Sequence, residues 1–350
     1  MWRSRSNYLR RVGEGLDRAY ERAEVETARF DQTRIVIFSD LHRGIGDRAD
    51  DFQPCRKIYH AALGYYHSLD YRLFLLGDIE ELWERLLVGI VDRYEGTLEL
   101  EKQFFDRGKA MRFLGNHDET LARPWNKKIL DPFTNGAEFY ESLVLRMTDT
   151  ADQPMGELLF VHGHQGIDYS WFDRWFVKRF WAPIQKLTGV TIGTPASDHS
   201  IRLTHEQAIY EWARQRADLL LVCGHTHHPV FMSTAWEQTV REELEALRLT
   251  SASAEQIAMK EAQLHWVAAD LDELRTALPE DARPCYFNTG CCSYSDGSIT
   301  GIEIVDGRIR LVRWSGEGGA PKRHPIREAD LANVFGRCRN GVCSVDLPSP

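Results

Sequence analysis

Side chains able to hold metal ions or move protons fall in five short blocks. They are Asp40-Leu41-His42, Gly77-Asp78, Gly115-Asn116-His117-Asp118, His162-Gly163-His164 and Gly224-His225-Thr226-His227. Carboxylates and imidazoles with one neutral amide make mixed oxygen and nitrogen sites suited to manganese, iron or zinc. One carboxylate can bridge two ions about 3.5–4 Å apart, and such a pair clamps both the attacking and the leaving oxygen of a phosphoryl displacement. Coordination also brings the pKa of water toward neutrality, so a nucleophile can form without a protein base. Each block alone carries little information, since Asp-x-His at a strand end is commonly a turn or a cap. Their joint occurrence, each behind an apolar strand, points to a metal site.

The elements that must position these blocks follow one pattern. Arg34-Ile35-Val36-Ile37-Phe38 runs into Ser39-Asp40, and Tyr71 to Leu76 runs into Gly77-Asp78. Ala110 to Leu114 leads to Gly115-Asn116, Glu157 to Val161 to His162-Gly163, and Asp218 to Val222 to Gly224-His225. Short β-branched and apolar runs of this kind read as buried strands. Helical patterns, such as Gln53 to Leu69 and Thr204 to Arg216, separate most of them, so the fold class is α/β. In such folds functional groups gather at the carboxyl ends of strands, where the unusual residues lie here.

The series DxH, GD, GNHD, HG and GHxH resembles the motif set of calcineurin-like metallophosphoesterases, over roughly Arg34 to Pro229 with a weaker echo through Trp314. The resemblance implies a β-sandwich flanked by helices. It also implies two divalent ions, expected to be Mn2+ with Fe or Zn as alternatives. Asp40, His42 and His227 would hold one ion and Asn116, His162 and His225 the other, with Asp78 bridging. His117 would stabilise the transition state or protonate the leaving oxygen, and Asp118 would orient its ring. The implied activity is hydrolysis of phosphate esters by in-line attack of metal-activated hydroxide, on phosphodiester or pyrophosphate bonds, with a phosphomonoesterase, a protein phosphatase included, as the alternative. A non-catalytic binding module is a further alternative, although every motif position is intact. Within the superfamily, Gly77-Asp78-Ile79-Glu80-Glu81-Leu82-Trp83 is similar to the GDxxExW block of UDP-2,3-diacylglucosamine hydrolases. His117, where those enzymes commonly carry Arg, and His162-Gly163-His164, where they carry HGD, turn the expectation toward a more general phosphoesterase.

The rest of the chain bounds this reading. Its 350 residues are 43% hydrophobic and 27% charged, which suits a single globular domain over 1–350 with insertions. Residues 166–216 contain an aromatic, basic stretch from Ser170 to Trp181, expected as a helical cap over the site or as a packed core helix. Residues 233–280 hold two charged helical patterns split by Thr250-Ser251-Ala252-Ser253, expected as a projecting hairpin and a candidate homodimer arm. Arg5 to Phe30 reads as one charged, amphipathic surface helix, and 317–350 as a poorly ordered tail. Arg43 is a candidate phosphate contact or a surface ion pair. His164 and His228 read as supports for their ligand neighbours. A net charge of −9 argues against an extended nucleic-acid surface, leaving phosphorylated small molecules or lipid-linked phosphates as substrates. No apolar run spans a bilayer. Seven irregularly spaced cysteines suggest neither a disulfide framework nor a zinc knuckle, so a cytoplasmic setting is expected, with peripheral membrane association as a variant.

Overall fold

The computed structural model describes residues 5–47, 50–167, 199–235, 283–316 and 319–340, with a few positions between 244 and 261. Two seven-stranded sheets carry the chain. One runs β14 (Lys322–Asp330), β13 (Arg308–Ser315), β12 (Ile299–Val305), β2 (Arg34–Phe38), β3 (Arg72–Leu76), β4 (Ala110–Phe113), β5 (Phe139–Tyr140). The other runs β1 (Glu24–Arg29), β6 (Ser142–Thr148), β7 (Pro154–Val161), β8 (Leu219–Cys223), β11 (Tyr286–Asn288), β9 (Val230–Phe231), β10 (Thr234–Ala235). The family-implied α/β sandwich is therefore the architecture observed.

The alternation of strand residues explains the layers. Ile35, Ile37, Phe74 and Leu76 turn inward to a core shared with Leu143, Leu145 and Phe160 of the facing sheet. Val36, Phe38, Leu73 and Leu75 turn outward beneath α2 (Arg56–Ser68), α3 (Leu87–Phe105) and α4 (Pro124–Thr134). The other sheet is covered by α1 (Arg5–Glu21), α5 (His199–Ala213) and α6 (Leu331–Asn340), whose Val12, Leu16, Ile209, Val334 and Phe335 are buried. With both faces covered, the central strands read as continuous apolar runs, which is why they were visible in the sequence.

Two expectations are corrected. The single helix expected over Arg5 to Phe30 ends at Glu21, and Glu24–Arg29 instead forms β1, paired in parallel with β6. Its half-exposed, polar edge position left no apolar signature. The tail expected to be poorly ordered supplies β14, paired antiparallel with β13, and α6, where Leu331, Val334, Phe335 and Cys338 are buried. That spacing is a helical stripe, masked in the sequence by the Gly- and Pro-rich residues around it. Most of the expected cap (168–198) and most of the expected hairpin lie outside the described residues. The hairpin's first residues, Thr234–Ala235, are strand β10 paired with β9. No helix among the described residues is long and apolar enough to cross a membrane.

Candidate metal centre

Parallel pairing sets the ends of β2, β3 and β4 side by side, and those of β7 and β8 beside each other in the facing sheet. The ladders continue past the strands: Asp40 N–H donates to Gly77 O (3.1 Å), His42 N–H to Asp78 O (3.0 Å) and Gly224 N–H to His162 O (2.9 Å). The blocks separated in sequence thus become adjacent loops. Asp40, His42, Asp78, His225 and His227 all have positive φ, between 49° and 70°. Non-glycine residues rarely adopt that conformation, and it costs on the order of 1–3 kcal/mol each. A strand that turned more gently would aim these side chains elsewhere.

Among the described residues, three groups of ligand atoms result. Asp40, His42 and His227 converge, as do Asp78, His162 and His225, and a third group joins His42 and His117 to Glu81. His42 Nε2 faces His227 Nε2 at 3.0 Å, and Asp40 Oδ1 lies 3.3 Å from the latter. His162 Nδ1–H donates to Leu76 O (2.8 Å), which turns Nε2 toward Asp78 Oδ2 at 3.1 Å. A lone pair aimed at a carboxylate needs a proton or a cation between them. Asn116 Oδ1 and His225 Nε2 are buried atoms with no hydrogen-bond partner. Such atoms cost free energy unless something is bound, and their donor types fit a divalent ion.

The electrostatics agree. Burial disfavours the charge on Asp78, but the His162 and His117 imidazoles outweigh it and hold the carboxyl well below its usual range. Burial likewise opposes charge on Asp40, and His227 and His162 bring its pKa down. His162 works against burial through Asp78 and Asp40 and rises to about 9. His227 rises well above the ordinary value because Asp40 overcomes burial. Burial, with His205 and His162 beside it, pushes His225 well down.

The structure brings all seven sequence-selected ligand residues and His117 to this end of the sandwich, and it redistributes the supporting roles. His117 Nδ1 lies 2.6 Å from Glu81 Oε2, and the same oxygen lies 3.1 Å from His42 Nδ1. Burial opposes charge on His117, but Glu81 and Asp78 raise it to about 9, while Glu81 falls to about 2. Trp83 stacks on the His117 ring at 4.0 Å and donates from Nε1 to Asn116 O (2.6 Å). Asp118 therefore does not orient His117, contrary to expectation. Its carboxylate accepts from Gly115 N–H (2.7 Å) and Ile79 N–H (2.8 Å), tying together the loops that carry Asp78 and Asn116.

Arg43 is also corrected. It is fully buried and bound to Glu80 (2.7 Å) and Glu101 (2.9 Å), so it is neither a phosphate contact nor a surface pair. Glu80 also pairs with the buried Arg112. His164 stands beside the His162 ring at 5.4 Å, and burial drops its pKa to about 3. His228 Nδ1 bonds Glu206 (3.0 Å), which also accepts from Thr226 (3.1 Å). Sequence reasoning assigned no role to Glu81, Trp83, Glu206 or His205. Only Glu81 and Trp83 had a signal, their place in the block after Asp78.

The chain belongs to the calcineurin-like phosphoesterase family, whose pattern (Metallophos) matches residues 33–229. No curated protein matches it. Among solved structures it is similar to vacuolar protein sorting 29 from Cryptosporidium parvum, at 12% identity and a TM-score of 0.36, covering 85% of this chain and 98% of that one. It is likewise similar to a single-substitution variant of Vps29 from Entamoeba histolytica, at 12% identity and 0.35, covering 85% and 99%.

Proposed function

We propose that this chain hydrolyses phosphate esters with two divalent metal ions, acting on phosphodiester or pyrophosphate bonds. Asp40, His42 and His227 would hold one ion, Asn116, His162 and His225 the other, and Asp78 would serve both. The observation that carries the reading is the convergence of Asp78, His162 and His225 beside the Asp40–His42–His227 group, with Asn116 Oδ1 and His225 Nε2 buried and without a hydrogen-bond partner. When bound, the ions would supply a nucleophile from water near neutral pH and neutralise the phosphoryl oxygens; Mn2+ is the proposed metal, with Fe or Zn as alternatives. Glu81 fixes His117 through Nδ1 and leaves Nε2 to meet a substrate oxygen and give it a proton. Trp83 holds that ring flat against its own, so the proton is delivered from a fixed direction. The GDxxExW block, with Glu81 and Trp83 both engaged on His117, supports a likeness to the UDP-2,3-diacylglucosamine hydrolases. His117 itself favours a broader range of phosphorylated small-molecule or lipid-linked substrates, handled in the cytoplasm.

The test joins metal analysis to turnover of bis-p-nitrophenyl phosphate and p-nitrophenyl phosphate, with Asp78→Ala as the control. The expected result is about two metal ions per chain, diester turnover above monoester turnover, and a loss of about 10³-fold in the variant. Faster monoester turnover would move the reading to a phosphomonoesterase. Absence of both metal uptake and turnover would sink it.

A further inference from the structure

The family match begins at residue 33, yet the histidine loop after β7 is gripped by a helix that precedes it. Gly15, on α1, is buried, and a Cβ there would run into the Gly166 backbone nitrogen and the Gln165 carbonyl carbon. A Cβ on Gly166, at φ +81°, would in turn meet the Arg11 carbonyl and the Val12 Cα. Helix backbone therefore lies directly on loop backbone. Gly13, two positions before on the same helix, has room: its Cβ would meet only Trp212 Cδ1 at 3.7 Å.

A hydrogen-bonded path joins the same helix to the metal loops. Tyr8 O–H donates to His205 Nδ1 (2.8 Å), and His205 Nε2–H donates to Gly163 O (2.7 Å), the peptide between His162 and His164. Because the carbonyl can only accept, the proton on Nε2 fixes the tautomer, and Nδ1 is left to accept from the tyrosine. The His205 ring, fully buried, stands edge-on to His225 at 5.1 Å. The helix is anchored for this task at its other end. Ser142 Oγ–H donates to Ala19 O (2.6 Å), Trp212 Nε1–H to Asp17 (2.9 Å), and Tyr20 O–H to Glu157 (2.5 Å). The Asp40–His42–His227 half takes side-chain support from Ser39 and Glu81, and Asp40 also accepts from His225 N–H (3.0 Å).

We infer that α1 is a positioning clamp for the His162–His225 half of the metal centre, acting through the Gly15–Gly166 contact and the Tyr8–His205–Gly163 path. The inference rests on the dinuclear reading of the site. Partners that orient ligands change metal affinity by about 10–100-fold, so the clamp should act on one of two binding steps.

The experiment is a calorimetric Mn2+ titration of the full chain and of Gly13→Ala, Gly15→Ala, Tyr8→Phe and His225→Ala, with melting curves of the metal-free proteins. His225→Ala identifies the step that belongs to this half. Tyr8→Phe and Gly15→Ala should weaken that same step by about 10–100-fold and leave the other within about twofold. Gly13→Ala should match the unaltered chain. Both steps unchanged in Tyr8→Phe, or both weakened alike in step with a lower melting temperature, would overturn the clamp. Should Gly15→Ala fail to fold, Tyr8→Phe decides alone. An unaltered chain that takes up no Mn2+ would instead overturn the dinuclear reading on which the clamp depends.

Discussion

Glu81 sets the chemistry of two rings with one carboxylate oxygen, 2.6 Å from His117 Nδ1 and 3.1 Å from His42 Nδ1. Glu81→Gln keeps the shape and removes the charge that lifts His117 to about 9. His117 should then titrate nearer its ordinary value, with kcat down about 10–100-fold. An NMR titration of the ring in the metal-free protein checks the first, and an unmoved curve would deny Glu81 that role. His162 carries a related prediction. Its Nε2 can hold a proton or a metal ion but not both, and its pKa is about 9 without metal. Metal uptake at neutral pH should therefore release protons, measurable in weak buffer, and affinity should fall as pH falls. The ligand types were legible from the sequence because metal chemistry restricts them. The partner of His117 was not: Asp118 is its neighbour in the chain, but Glu81 reaches it across the parallel pairing of β3 and β4.

At the scale of elements, the three loops after β2, β3 and β4 are tied behind the site by charges as well as by the apolar packing of Leu41, Ile79 and Leu121. Arg43 binds Glu80 and Glu101, Arg112 binds Glu80 and approaches Asp118 at 3.8 Å, and Tyr59 donates to Glu101 (2.9 Å). All are essentially out of solvent. Burial pushes the Arg112 pKa down, to about 9. Arg112→Met should cost about 3–5 kcal/mol, because Glu80 loses one of its counter-charges in a dry site. Adding Glu80→Gln should recover part of that loss, and urea unfolding of both variants measures it. Equal losses would mean that the pair is not coupled. The strands feeding these loops were readable as apolar runs. The network was not, since Arg43, Glu80 and Arg112 look like ordinary surface residues until the sheet brings them together. β1 and β14 were missed for the opposite reason, as edge strands whose residues remain half exposed.

At the scale of the whole molecule, one face of the β6–β7–β8 sheet is served by different helices at its two ends. α1 and α5 reach the histidine loops beyond β7 and β8, whereas α6 covers the starts of those strands. Phe335 lies against Gly156, and Arg339 binds Asp218 (2.6 Å) and the Met155 carbonyl (2.8 Å). Stability and metal binding should then be separable along the strand axis. Phe335 is 2% exposed, so Phe335→Ala should cost about 3–5 kcal/mol through the cavity it leaves. The metal loops lie at the opposite strand ends, so both Mn2+ steps should stay within about twofold of the unaltered chain. Tyr8→Phe, acting at the other end, should do the reverse, moving one metal step with little change in melting temperature. Urea unfolding and Mn2+ titration of the two variants side by side test the separation. Parallel loss of metal affinity in Phe335→Ala would mean that the sheet transmits strain over its full length and that the metal centre depends on the whole sandwich, not on its local clamp.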